Sequence, residues 1–96
     1  AGILIGWGTD QCMKEMLEMP GREFIAREHM GLGNVELLKQ ATINSAKIVK
    51  QDYCKGTVKV GKLADLIVVD GAPVSDISVM NREPLHVLKN GVKISI

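Results

Sequence analysis

Gly2-Ile3-Leu4-Ile5-Gly6-Trp7-Gly8-Thr9-Asp10 decides how the rest of this sequence is read. The run is apolar from residue 2 to residue 8, rich in β-formers at its centre, and stops at a polar pair. Alternating apolar and polar residues mark a strand with one wet face, whereas a continuous apolar run marks one covered on both faces, as in parallel sheets flanked by helices. The spacing therefore predicts a short strand buried on both faces. Such a strand needs neighbours reached through crossover connections, and nothing after Asp10 offers a second run of that kind behind a crossover helix. With its partners missing and a start at Ala1 instead of Met, the chain is expected to be the C-terminal portion of a longer protein.

Outward from that run, Met13, Met16 and Leu17 predict one apolar helical turn, which Pro20 interrupts. A helix from Arg22 to Met30 follows, closed by Gly31 and Gly33. The strongest helical pattern comes next. Asn34 stands as N-cap, Glu36 lies in the first turn, Leu38, Ala41, Ser45, Ile48 and Val49 share one face, and a kink is expected near Thr42–Asn44. From Gly56 the period changes to two. Val58 and Val60 alternate with lysines, Gly61-Lys62 makes a turn, and Leu66-Ile67-Val68-Val69 reads as a buried strand ended by Asp70-Gly71. Residues 85–89 and 92–96 flank Asn90-Gly91, the dipeptide suited to a type I′ hairpin because both positions need φ > 0. Three or four strands are expected in this unit.

Composition narrows the function classes. The 96 residues carry 46% hydrophobic and 24% charged side chains, a globular balance. A net charge of +1 gives no field to attract nucleic acid or an anionic membrane. Three scattered aromatics, Trp7, Phe24 and Tyr53, build no base-stacking platform. No apolar run approaches the roughly 20 residues needed to span a bilayer. Cys12 and Cys54 are isolated, which points to reduced thiols and a cytoplasmic setting. Neither GxxxxGK[ST] nor GxGxxG occurs, so nucleotide binding has no support.

Asp10 is the candidate functional residue, because a side chain leaving the C-terminal end of a buried strand enters the cleft above it. A carboxylate there can ligate a divalent metal, act as general base toward metal-bound water, or cap the next turn. Cys12 lacks a visible base. Lys14, Glu15 and Glu18 either meet a charged substrate or form a solvated face. His29 is expected to serve the C-terminal carbonyls of its helix, and His86 to face solvent or a domain boundary. Arg22, Glu23, Arg27 and Glu28 pair at i, i+4 and neighbouring spacings, which usually means a solvated face.

Taken in order, Gly8-Thr9-Asp10, the helix at Ala41-Thr42-Ile43-Asn44-Ser45-Ala46, the turn and strand from Val60 to Asp70, and Val87-Leu88-Lys89-Asn90-Gly91 resemble the C-terminal end of metal-dependent amidohydrolases. The imidazolonepropionase-like and dipeptidase-like branch is the most similar. The resemblance implies an α/β fold. Residues 1–55 would be the last strand and helices of a (β/α)₈ TIM-type barrel, and residues 56–96 the C-terminal strands of a small β-sandwich domain. It implies one or two divalent ions, usually zinc, with Asp10 as metal ligand and as general acid/base on the metal-bound water. The other ligands would lie in the upstream part of the same polypeptide, so the 96 residues alone are expected to be inactive. A small-molecule substrate with a C–N bond and association into homo-oligomers complete that expectation, with no role for nucleic acid or membrane. The alternative is a non-enzymatic α/β module that binds a partner through its β-hairpin edge, with Asp10 as a turn residue.

Overall fold

The computed structural model describes residues 2–8, 14, 18 and 21–94. Helix α1 spans Arg22–Glu28, and α2 spans Asn34–Lys39; α2 runs through a π-helical turn, Gln40–Asn44, into α3, Ser45–Ile48. Strand β1 is Leu66–Val68, a 3₁₀ helix occupies Ile77–Asn81, and β2, His86–Lys89, and β3, Val92–Ile94, form the terminal hairpin. The sheet order is β1-β2-β3, antiparallel throughout.

Helix α1 ends two residues before the expected Met30. His29 caps it, donating its backbone N–H to the Ile25 carbonyl at 3.2 Å, and Gly31 leaves the helix at φ +85. The next helix begins as expected, but its N-cap is Gly33; Asn34 is already helical and donates its Nδ2 to the Val74 carbonyl at 3.0 Å. Where a kink was expected, near Thr42–Asn44, the helix carries a π turn. The buried positions are Leu37, Gln40 and Ala46; one extra residue in a turn rotates the face that follows it by about 100°, and after the turn Ile48 and Val49 are exposed against expectation.

The hairpin forms where predicted, with Asn90 at φ 52 and Gly91 at φ 79. Gly61 makes the expected turn, where Lys62 donates its N–H to the Lys59 carbonyl at 3.2 Å. Two strand expectations fail. Val58 and Val60 are exposed and belong to no strand, because the segment is organised from below by the Lys62 ammonium, which donates to the Asp52 carbonyl at 2.6 Å and to Thr57 Oγ1 at 2.7 Å. Strand β1 stops at Val68, and its side chains are exposed instead of buried, since no second sheet covers them among the described residues.

The core gathers Phe24 from α1, Leu37 from α2 and Ile77 from the 3₁₀ helix, with Trp7, Leu32, Leu38 and Met80 packed against it. The opening run is extended but joins no sheet, and Ile3 is 80% exposed, so burial on both faces does not hold among the described residues. It lies instead across the helices.

Candidate functional site

Asp10 lies outside the described residues, as do Thr9, Cys12 and Glu15. What the structure defines is the seat of the ribbon that leads to Asp10, residues 2–8.

A ribbon without strand partners must satisfy its backbone polar groups some other way. Here helix side chains replace a neighbouring strand. Asn44 Nδ2 donates to the Ile5 carbonyl at 3.1 Å, Arg27 Nη1 donates to the Gly6 carbonyl at 2.9 Å, and the Trp7 N–H donates to Ser45 Oγ at 3.1 Å. The Ser45 hydroxyl passes its own proton back to the Gln40 carbonyl at 2.7 Å, spanning the wide turn. The π turn is what lets two successive residues, Asn44 and Ser45, reach the same ribbon. Gly6 permits the approach, because a Cβ there would sit 3.2 Å from Ser45 Oγ and 3.4 Å from Ser45 Cα.

Arg27 organises this seat. Its Nε donates to Glu23 Oε1 at 2.9 Å, its Nη1 also donates to Gln40 Oε1 at 2.8 Å, and its Cζ lies 4.3 Å from the Trp7 ring centroid. Trp7 in turn meets Phe24 with ring centroids 4.6 Å apart at 49°. The Arg27 and Glu23 side chains keep only 16% and 20% of their exposure, which corrects the solvated-face reading of that pair. The i, i+4 spacing is right, but the ribbon and the indole cover it. The sequence marks this site with a single tryptophan beside a glycine; Gln40, 1% exposed here, gave no signal of its own.

The remaining candidates do not converge. Lys14 and Glu18 are exposed and 4.0 Å apart, a solvated pair. His29 and His86 are exposed on different elements, and Cys54 is a free, half-buried thiol. Among the described residues no three of His, Cys, Asp or Glu are placed to hold a metal ion. No described helix is long and apolar enough to cross a membrane.

Against known proteins, the chain is similar to a prolidase solved in complex with N-methylphosphonate-L-proline, with 37% identity and a TM-score of 0.82. That match covers 93% of this chain and 22% of the prolidase. A Xaa-Pro dipeptidase solved with methionine in its active site is 33% identical at a TM-score of 0.74, over 79% of this chain and 18% of the dipeptidase. Adenine deaminase from Desulforamulus reducens is 32% identical over 62 residues, 65% of this chain and 9% of the deaminase. The chain thus spans under a quarter of the length of these relatives. The sequence model of the amidohydrolase family matches residues 1–94.

Proposed function

The chain belongs to the amidohydrolase family, on its dipeptidase-like side, and from that premise we propose that it is the C-terminal part of a metal-dependent hydrolase acting on a C–N bond. The substrate is an amide, a cyclic amide or a dipeptide-like small molecule. The observation that carries this reading is the family match over residues 1–94, which includes Gly8-Thr9-Asp10 at the end of the ribbon.

In this reading residues 2–8 are the last strand of a (β/α)₈ barrel, and the sheet β1-β2-β3 is part of a β-sandwich domain. The ribbon's exposed outer side chains support it, since a barrel strand meets neighbours on both edges and side chains on both faces. The 1–55 and 56–96 division follows from the same assignment. A catalytic zinc takes three protein ligands and an open position, and the described residues form no such set, so most ligands come from the upstream part of the polypeptide. A divalent ion held by such ligands would supply activation of a water for attack at neutral pH. Asp10 would accept a proton from the attacking water and hand it to the leaving nitrogen, the work of a carboxylate acting as general acid/base. The isolated 96 residues are inactive. We extend the reading to a cytoplasmic enzyme and to homo-oligomers, the former on two isolated cysteines.

The test is Asp10→Asn in the full-length enzyme, assayed on a panel of dipeptides and cyclic amides with and without added zinc. Metal-dependent hydrolysis that falls at least 100-fold in the variant, with the fold retained by circular dichroism, is the expected result. An unchanged rate, or no hydrolysis in the parent, would leave the partner-binding module as the better account.

A further inference from the structure

We propose that Arg27 is a positioning residue for the reaction: it fixes the register of the ribbon at Gly6 and Trp7 and so the place of Asp10. The inference rests on the catalytic reading of Asp10 and goes beyond it, since nothing in that reading gives Arg27 a role.

Asp10 follows Gly6 by four residues, a reach of at most about 14 Å along extended chain. Any slip of the ribbon at Gly6 is therefore passed to the carboxylate. A slip of one residue would move the ribbon at Gly6 by about 3.3 Å.

Three features make Arg27 the residue that opposes such a slip. Its guanidinium is held from behind by Glu23 Oε1 at 2.9 Å and from the side by Gln40 Oε1 at 2.8 Å, so it is itself fixed. It then engages two successive ribbon residues by different chemistry. Nη1 donates to the Gly6 carbonyl at 2.9 Å, and the flat face lies 4.3 Å from the Trp7 ring centroid. A one-residue shift loses both contacts together, because neither neighbour of Trp7 has a ring and the carbonyl would point away. Finally, the rigid fork cannot be copied by lysine, whose single ammonium lacks both the plane and the spaced donors. Asn44 and Ser45 also grip the ribbon, but through short neutral side chains that touch backbone alone.

The experiment compares kcat and KM of the full-length enzyme carrying Arg27→Met, Arg27→Lys or, as a neighbouring charge control, Glu28→Gln, each alone and on an Asp10→Asn background. Arg27→Met is expected to lower kcat 10- to 100-fold with KM within about 3-fold, the scale set by small misplacements of catalytic groups. Arg27→Lys loses about 3- to 10-fold, and Glu28→Gln stays within 2-fold. On the Asp10→Asn background Arg27→Met changes the residual rate less than 3-fold, because positioning a group that is already disabled has no further effect. If Arg27→Met does not fold, Arg27→Lys carries the test, since it keeps the charge beside Glu23. Full kcat in the folded Arg27 variants, or the same loss on both backgrounds, overturns the proposal. Loss of hydrolysis in Asp10→Asn with intact Arg27 variants sinks this inference alone, whereas an unaffected Asp10→Asn enzyme sinks the catalytic reading and this inference with it.

Discussion

Asp65 joins the start of β1 to the hairpin turn. Its Oδ1 accepts the Asn90 N–H at 2.8 Å, and its Oδ2 lies 3.0 Å from Lys89 Nζ and 3.6 Å from Lys55 Nζ. The Asn90 N–H first, and then the Lys89 side chain, hold its carboxyl below the ordinary carboxylate value. Asp76 is lowered in the same way by Ser78, whose hydroxyl donates to it at 2.6 Å and whose N–H donates at 3.0 Å. A carboxyl whose folded pKa is depressed contributes stability that is complete above its unfolded value, about 3.9, and lost as pH falls through the lower folded value. These two groups therefore give no pH dependence between pH 5 and 7 and a falling stability below about pH 4. The urea midpoint measured at successive pH values is expected to show that decline, and Asp65→Asn with Asp76→Asn to flatten it. A decline of undiminished size in the double variant would assign the acid sensitivity elsewhere.

Helix α1 and the 3₁₀ helix approach so closely at Gly21 that no Cβ fits between them. A methyl there would lie 2.6 Å from Asn81 N and Cα, and it would also meet the Met80 carbonyl, all backbone atoms that cannot swing aside. Gly21→Ala is expected to cost about 1–3 kcal/mol through overpacking, while Gly8→Ala, into open space, stays within about 0.5 kcal/mol. Denaturant midpoints of the two variants decide it, and equal midpoints would mean that the contact yields. This packing also shows where the sequence was legible. Asn90-Gly91 announced the hairpin because positive φ at two successive positions is a local demand. The long helix was legible because a 3.6-residue period survives a π turn, although the buried face after that turn was not, since one extra residue redirects it. Val58 and Val60 alternated like a strand, yet the half-buried Lys62 ammonium ties the segment to the Asp52 and Lys55 carbonyls. Arg27 was hidden because an exposed i, i+4 pair and one roofed by Trp7 read identically. Asp10 carried meaning mainly through the family resemblance, since a lone carboxylate after a strand is more often a turn residue.

At the scale of the molecule, the surface is too large for the mass. The chain exposes 6892 Å², whereas a compact monomer of its 10.4 kDa is expected to expose about 5400 Å². The excess is on the order of 1500 Å², more than the roughly 800 Å² that one partner contributes to a stable interface. Ile3, Val58 and Val60 are exposed, and an open groove of about 650 Å³ lies between the helix and the sheet, walled by Ala46, Val49, Leu66 and Val87. Exposed aliphatic side chains beside an open apolar groove favour association over exposure to water. The 96 residues alone are therefore expected to associate at tens of micromolar, sedimenting well above the monomer mass. Ile3→Lys should weaken that association while leaving the melting temperature nearly unchanged, because the side chain it replaces packs against so little. If residues 2–8 are the last strand of a barrel, as proposed, co-expression with the proposed upstream part of the polypeptide should instead give a soluble one-to-one complex. A chain that stays monomeric at such concentrations and ignores the upstream piece would mean that this surface needs no cover, and the strand assignment of residues 2–8 would lose its physical basis.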